Sequence, residues 1–188
     1  GKGLDWNQAK SYADDLELAG HQDWRLPTAK ELHSIVDYSR SPDATQSAAI
    51  HPVFASTAIK NEGGKRDWGQ YWTSTQHRKG RGKETMVYFC FGRALGFMKG
   101  RRGSEARLLD VHGAGAQRSE PKTGDPSHFP AGRGPQGDVV RFFNMVRCVR
   151  TTAQAPVTDQ PNFVLILADD LGWTGLSVAM DDDVMGAK

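Results

Sequence analysis

Six apolar residues in a row, Phe163-Val164-Leu165-Ile166-Leu167-Ala168, stop at two adjacent carboxylates, Asp169 and Asp170. The run is too short to span a bilayer. It fits a strand buried on both faces, as in a parallel sheet covered by helices. In such sheets ligands gather beyond the carboxyl ends of the strands, where Asp169 and Asp170 stand. Two anionic oxygen donors at that point suit a hard divalent cation; from spacing alone a buried strand leading into a solvated loop is the plainer reading. One strand cannot make a doubly wound sheet. Residues 161–188 are therefore expected to be the first element of an α/β domain whose remainder is missing. Asp181-Asp182-Asp183 is most simply an acidic loop.

Charge divides the chain in the same place. Of its 188 residues, the first 150 carry 23 basic and 16 acidic side chains, and the remainder carries one basic and six acidic. Between the two lies Thr151-Thr152-Ala153-Gln154-Ala155-Pro156-Val157-Thr158, a linker composition. The expected organisation is a module over 1–150, a linker over 151–160 and a second unit from 161. No segment is long enough to be transmembrane, and these residues include no signal peptide, which says little about export in a sequence that opens on Gly1.

In the first module Asp5 is placed to cap a helix from Trp6 to about Leu18, with Trp6, Ala9, Ala13 and Leu16 on one face. Gly20 would stop it. Thr28-Ala29-Lys30-Glu31 reads as a capping box that starts a second helix, with Leu32, Ile35 and Val36 as its buried stripe. Residues 39–68 read as loop. Strands are expected at Tyr71–Thr75, Thr85–Phe91, Ala94–Met98 and Val139–Val149, with a long loop over 110–138. Two helices followed by a small antiparallel sheet with long loops is an α+β pattern.

Three strings in this module carry a resemblance. Asp23-Trp24-Arg25-Leu26-Pro27-Thr28-x-x-Glu31-Leu32, Tyr71-Trp72-Thr73-Ser74-Thr75 and Val146-Arg147-Cys148-Val149-Arg150 resemble the hallmarks of the Lcl C-terminal domain family over nearly all of residues 3–150. The resemblance implies a fold similar to C-type lectins and to the formylglycine-generating enzyme domain, and a secreted, periplasmic or cell-surface protein that serves in adhesion or ligand binding. The motif residues themselves read as mostly structural. Trp24 and Trp72 are large anchors for a small core, while Arg25, Arg147 and Arg150 suit carbonyls or carboxylates that hold long loops. Cys148 belongs to the same set.

The second unit carries another resemblance. Pro161-Asn162-Phe163-Val164-Leu165-Ile166-Leu167-Ala168-Asp169-Asp170-Leu171-Gly172-Trp173 resembles the opening of the sulfatase family. That resemblance implies calcium or magnesium held by Asp169 and Asp170, in a domain to which the first module would be covalently continuous. The family's Cys/Ser-x-Pro-Ser-x-Arg nucleophile string is absent from the chain. No sulfatase activity is therefore expected of it, and no cofactor is expected for residues 1–150.

No catalytic constellation emerges from the first module. His21, His33, His51, His77, His112 and His128 show no metal spacing. Asp110-Val111-His112-Gly113 suits either a general base or a loop histidine bonded to a backbone carbonyl, the second being preferred. Ser74 lacks a Gly-x-Ser-x-Gly elbow. Cys90 and Cys148 either pair or stay as buried thiols, and neither sits in the active-site pattern of the formylglycine-generating enzyme.

Charge supplies the binding candidate. Residues 77–107 hold nine basic side chains against Glu84 and Glu105. Arg78-Lys79-Gly80-Arg81-Gly82-Lys83 and Gly100-Arg101-Arg102-Gly103 look like hairpin tips on one side of a sheet. Arg78, Lys79, Arg81, Lys83, Arg101 and Arg102 are the candidate anion binders, since guanidinium forks fit sulfate and phosphate oxygens. A solvated basic face is the plainer alternative. Nucleic acid is disfavoured, because no nucleic-acid motif appears and aromatic residues do not interleave with the tips. A sulfated or acidic polysaccharide is the expected partner. The alternatives are an inactive amino-terminal portion of a sulfatase and a structural or protein-interaction module.

Overall fold

A computed structural model describes residues 3–79, 83–99 and 105–151, all within one unit, Gly1–Thr151. The architecture is α+β. Two short helices, α1 (Trp6–Asp14) and α2 (Ala29–His33), precede seven strands: β1 (Ala58–Lys60), β2 (Arg66–Trp68), β3 (Gln70–Lys79), β4 (Lys83–Cys90), β5 (Leu95–Lys99), β6 (Ala106–Asp110) and β7 (Gln117–Glu120). They form antiparallel sheets ordered β1-β2, β3-β4-β7 and β5-β6. Among the described residues no helix is long and apolar enough to cross a membrane. Asp169, Asp170 and the expected strand of residues 163–168 lie outside the described residues, as do Arg81, Arg101 and Arg102.

The helices begin where their caps predict. Asp5 and Gln8 form one reciprocal capping box, Thr28 and Glu31 the other. Both end sooner than their hydrophobic patterns suggest. Helix α1 stops at Asp14 rather than near Leu18, because Asp14, Asp15 and Glu17 set negative charge at its negative end with no basic residue in the last turn. Leu18 then pairs with His21 across Ala19 and Gly20, whose φ values of 55° and 74° make a tight turn of the mirror-image type. Helix α2 stops at His33: the Ser34 hydroxyl bonds back to the Glu31 carbonyl at 2.7 Å, and Val36 leaves to bridge Ile50. Ile35 and Val36 are half-buried rather than part of a buried helical stripe.

Strand β4 lies at the centre of the core. Every residue from Thr85 to Phe91 is buried. Met86, Tyr88 and Cys90 face Trp72, Leu26 and the α1 residues Ala9 and Ala13. Val87, Phe89 and Phe91 (which follows the strand) face Tyr71, Ile50 and Leu32 of α2. The two-residue period of a strand thus separates two apolar clusters, one on each face. Trp72 is fully buried, meets Tyr88 edge-on at 5.5 Å, and donates its indole N–H to the Leu4 carbonyl at 2.9 Å.

Beyond Trp72 the β3–β4 register is irregular as far as Gln76, and hydroxyls take over the ladder. Thr73 Oγ1 donates to the Val87 carbonyl at 2.8 Å, Ser74 N–H to the Pro27 carbonyl at 2.8 Å, and Thr75 Oγ1 accepts from Ala29 N–H at 2.8 Å. The Trp-Thr-Ser-Thr string is therefore a bulge that stitches the sheet to the start of α2.

Three expectations are corrected. The stretch read as loop over 39–68 contains the β1–β2 hairpin, turned by Asn61, whose Oδ1 accepts from the backbones of Gly63 and Lys65 at 3.0 Å. The loop over 110–138 contains β7, whose polar sequence Gln-Arg-Ser-Glu gave no apolar alternation yet pairs with β4. The strand expected over 139–149 is instead a lacing segment that pairs with a different partner every few residues. Asn144 bridges Leu4, Met145 bridges Tyr71 and Val149 bridges Arg25.

The buried carboxylate of Asp67 joins these pieces. It accepts from Asn61 Nδ2 at 2.9 Å and from the backbone N–H groups of Trp68 and Arg93 at 2.9 and 3.0 Å. Arg93, the next residue after Gly92, also reaches Asp43 at 2.6 Å. A Cβ on Gly92 would collide with the Asp67 carboxylate and the Trp68 backbone.

Trp72→Ala is expected to cost about 3–5 kcal/mol in urea denaturation. Phe143→Ala, at a half-exposed side chain, should stay within about 0.5 kcal/mol.

Candidate functional site

The three motif strings converge on one side of the module through complementary charge and backbone pairing. Arg25 and Val149 exchange backbone hydrogen bonds at 2.9 Å in both directions. The Arg25 guanidinium grips Glu31 in a two-pronged fork at 2.7 and 2.8 Å and reaches Thr151 Oγ1 at 3.2 Å. Arg150 grips Asp23 at 2.9 and 3.2 Å. Arg147 donates to the Ala55 carbonyl, and its guanidinium carbon lies 5.3 Å from the Tyr71 ring centroid and 5.8 Å from that of Phe54.

Between these strings runs a groove of about 380 Å³, lined by Tyr12, Leu18, Trp24, Tyr71, Arg147 and Cys148 among others. Trp24 belongs to neither core cluster. It is half-buried and donates its indole N–H to the Leu18 carbonyl at 3.2 Å. The Tyr71 hydroxyl is held by Thr57, accepting from its N–H at 2.9 Å. Sequence reasoning singled out Trp24, Arg25, Trp72, Arg147, Cys148 and Arg150 but missed Tyr12, Leu18 and the groove, because α1 ends early and the turn after it points Leu18 towards the distant carboxyl-terminal string.

The strands that flank the basic stretch belong to two different sheets, not one. Lys79 pairs with Lys83 across β3 and β4, and Lys99 with Ala106 across β5 and β6. Lys99 and Arg107 are exposed. Arg93 leaves the basic set, since Asp43 and Asp67 neutralise it internally.

Residues 1–109 match the family described as Lcl C-terminal domain. The chain belongs to the Lcl C-terminal domain family. The match contains the Asp23–Leu32 and Tyr71–Thr75 strings and ends before Val146–Arg150. No curated protein and no solved structure matches the chain.

In this Lcl C-terminal domain both cysteines are free thiols, so the two do not pair. Cys90 is fully buried, and burial pushes its thiol up to about 12. Burial also raises the Cys148 thiol. Among the described residues no three His, Cys, Asp or Glu side chains cluster as metal ligands. His112 does not bond a backbone carbonyl as expected. Its Nε2 lies 3.0 Å from Asp138 Oδ1, and Asp138 also binds Arg118 at 2.7 Å. Beside them Arg133 pairs with the buried Glu120, so this cluster ties the 129–138 loop to β7.

Glu31 shows how tightly the motif pins hold. The Arg25 fork, aided by the Thr28 N–H, lowers its carboxyl from 4.5 to about 2. A folded-state value below the unfolded one stabilises at pH above about 4.5, and the benefit disappears as pH falls towards about 2. Both side chains are about 40% exposed, so water screens the pair and keeps its contribution modest. Melting temperature should therefore fall more steeply between pH 4.5 and 2 in the wild type than in Glu31→Gln, and the two curves should converge at the acid end.

Proposed function

We propose that residues 1–150 form a non-catalytic, lectin-like binding module outside the cytoplasm, whose ligand is a sulfated or acidic polysaccharide. The observation that carries this reading is the charge of the β3–β4 and β5–β6 hairpins. Nine basic residues against two acidic ones fall within residues 77–107; Arg93 is tied into the buried Asp67 site, while Lys99 and Arg107 are exposed. The register sets Lys79 opposite Lys83. A polyanion is drawn to such a basic stretch, and its binding weakens as salt screens the charges.

Immobilised heparin tests the reading. The wild type should be retained at physiological ionic strength and elute with added salt. The variant Arg78→Glu, Lys79→Glu, Arg81→Glu, Lys83→Glu should pass through, and retention unchanged by the four substitutions would remove the hairpin from the interface.

The string Pro161–Trp173 supports a second reading, for the unit that begins at 161: a sulfate-ester hydrolase in which Asp169 and Asp170 hold calcium or magnesium. This chain contains no Cys/Ser-x-Pro-Ser-x-Arg nucleophile string, so its expected turnover of an aryl sulfate is nil. A rate above buffer that vanishes in Asp169→Asn, Asp170→Asn would establish the activity in this chain.

A further inference from the structure

The groove between the three motif strings pairs a single cation with exposed aromatic and aliphatic surface. Tyr12 and Leu18 are about half exposed and Trp24 is half-buried, while Tyr71 lies buried beneath them. Exposed side chains of this size gathered round one cleft are uncommon on a surface without a partner. Arg147 is the only Lys, Arg, Asp or Glu in the lining, and among the described residues it forms an ion pair with no carboxylate. Its Nε is shut off from solvent and has no hydrogen-bond partner among the described residues.

We propose that this groove is a subsite for one anionic sugar unit of the polysaccharide, a pyranose bearing a carboxylate or sulfate. The inference rests on the glycan reading above and deepens it. The aromatic walls of Trp24 and Tyr12 take the apolar C–H face of the ring. Arg147, held in place by Tyr71, Phe54 and the Ala55 carbonyl, supplies planar donors that match the two oxygens of a carboxylate or sulfate. The cleft volume falls in the range of small-ligand sites, and its walls mix apolar and polar surface, as the face and edge of a sugar ring require. No lining carboxylate opposes an anion.

This subsite is separate from the basic hairpin. Tyr71 and Lys79 lie on the same strand, eight residues apart, which is about 25 Å at the rise of a β-strand. Only a polymer can engage both places at once, and joint engagement raises avidity above that of either alone. A disaccharide is confined to one of them, which makes the two ideas separately testable.

The experiment is a titration of the whole chain with a sulfated, uronate-containing heparin disaccharide, followed by the indole N–H signals of the five tryptophans. Trp24→Phe assigns the groove signal by its disappearance. The Trp24 signal should shift and saturate in the wild type and in the hairpin charge-reversal variant alike. Arg147→Lys keeps the charge but not the fork and should weaken binding by about tenfold. Trp24→Ala should do the same, and uncharged maltose should bind at least about tenfold more weakly. A disaccharide that leaves Trp24 unmoved while heparin still retains the protein through the hairpin would overturn the groove and spare the hairpin. A Trp24 shift lost in the hairpin variant, or one indifferent to Arg147→Lys and to the ligand's charge, would also overturn it. Heparin retention that survives hairpin reversal but fails in Arg147→Lys would support the groove and remove the hairpin. If neither disaccharide nor heparin binds, both ideas fall.

Discussion

Burial of strand β4 on both faces organises everything else in this module. An antiparallel sheet commonly leaves one face to water, and this one does not. Met86, Tyr88 and Cys90 need a cover on one side, and Val87, Phe89 and Phe91 on the other. With helices of nine and five residues, the chain supplies little regular structure for the task. The covers are therefore assembled from single side chains on irregular segments: Ala9 and Ala13 with Leu26 on one face, Leu32 with Ile50 on the other.

Irregular covers carry backbone groups that no ladder satisfies, and charged side chains hold them. Asp67 gathers donors from the β1–β2 hairpin and from the turn after β4. Arg25 with Glu31 braces the start of α2, while Arg150 with Asp23 and Arg141 with Glu62 join residues 127 and 79 positions apart in sequence. The exposed pairs stabilise little one by one; their effect is geometric, since a two-pronged fork fixes orientation as well as distance. The Arg150–Asp23 fork, the Arg25–Val149 backbone pair and the Tyr71–Met145 bridge bring residues 23–25, 71 and 146–148 to a common groove.

Much of this was legible in the chain, for reasons that differ by element. Capping chemistry is local, so Asp5 and Thr28 announced both helix starts. Trp72, Val87 and Phe89 announced the central strands by their size and spacing. Helix ends were less visible, because they depend on charges opposing the helix dipole and on competing turns rather than on periodicity. Strand β7 was invisible: Arg118 and Glu120 are buried by pairing with Asp138 and Arg133, and an ion pair leaves no apolar pattern. The lacing segment misled in the opposite way, since Val139, Val140 and Phe142 read as a strand and are buried, but the backbone beyond them visits three different partners at Asn144, Met145 and Val149. That the strands flanking the basic stretch belong to two sheets could not be read, because sheet partnership is set by pairing between distant segments. The groove was hidden because it depends on segments separated by more than a hundred residues meeting in space.

The lacing segment has a consequence for folding. Leu4 and Asn144 exchange backbone hydrogen bonds at 2.9 and 3.0 Å, and Arg25 and Val149 do the same, so each contact closes a loop of more than a hundred residues. Loop closure of that length costs entropy before the contact repays it. By that topology the module acquires its structure late and together, more slowly than a helical bundle of similar size.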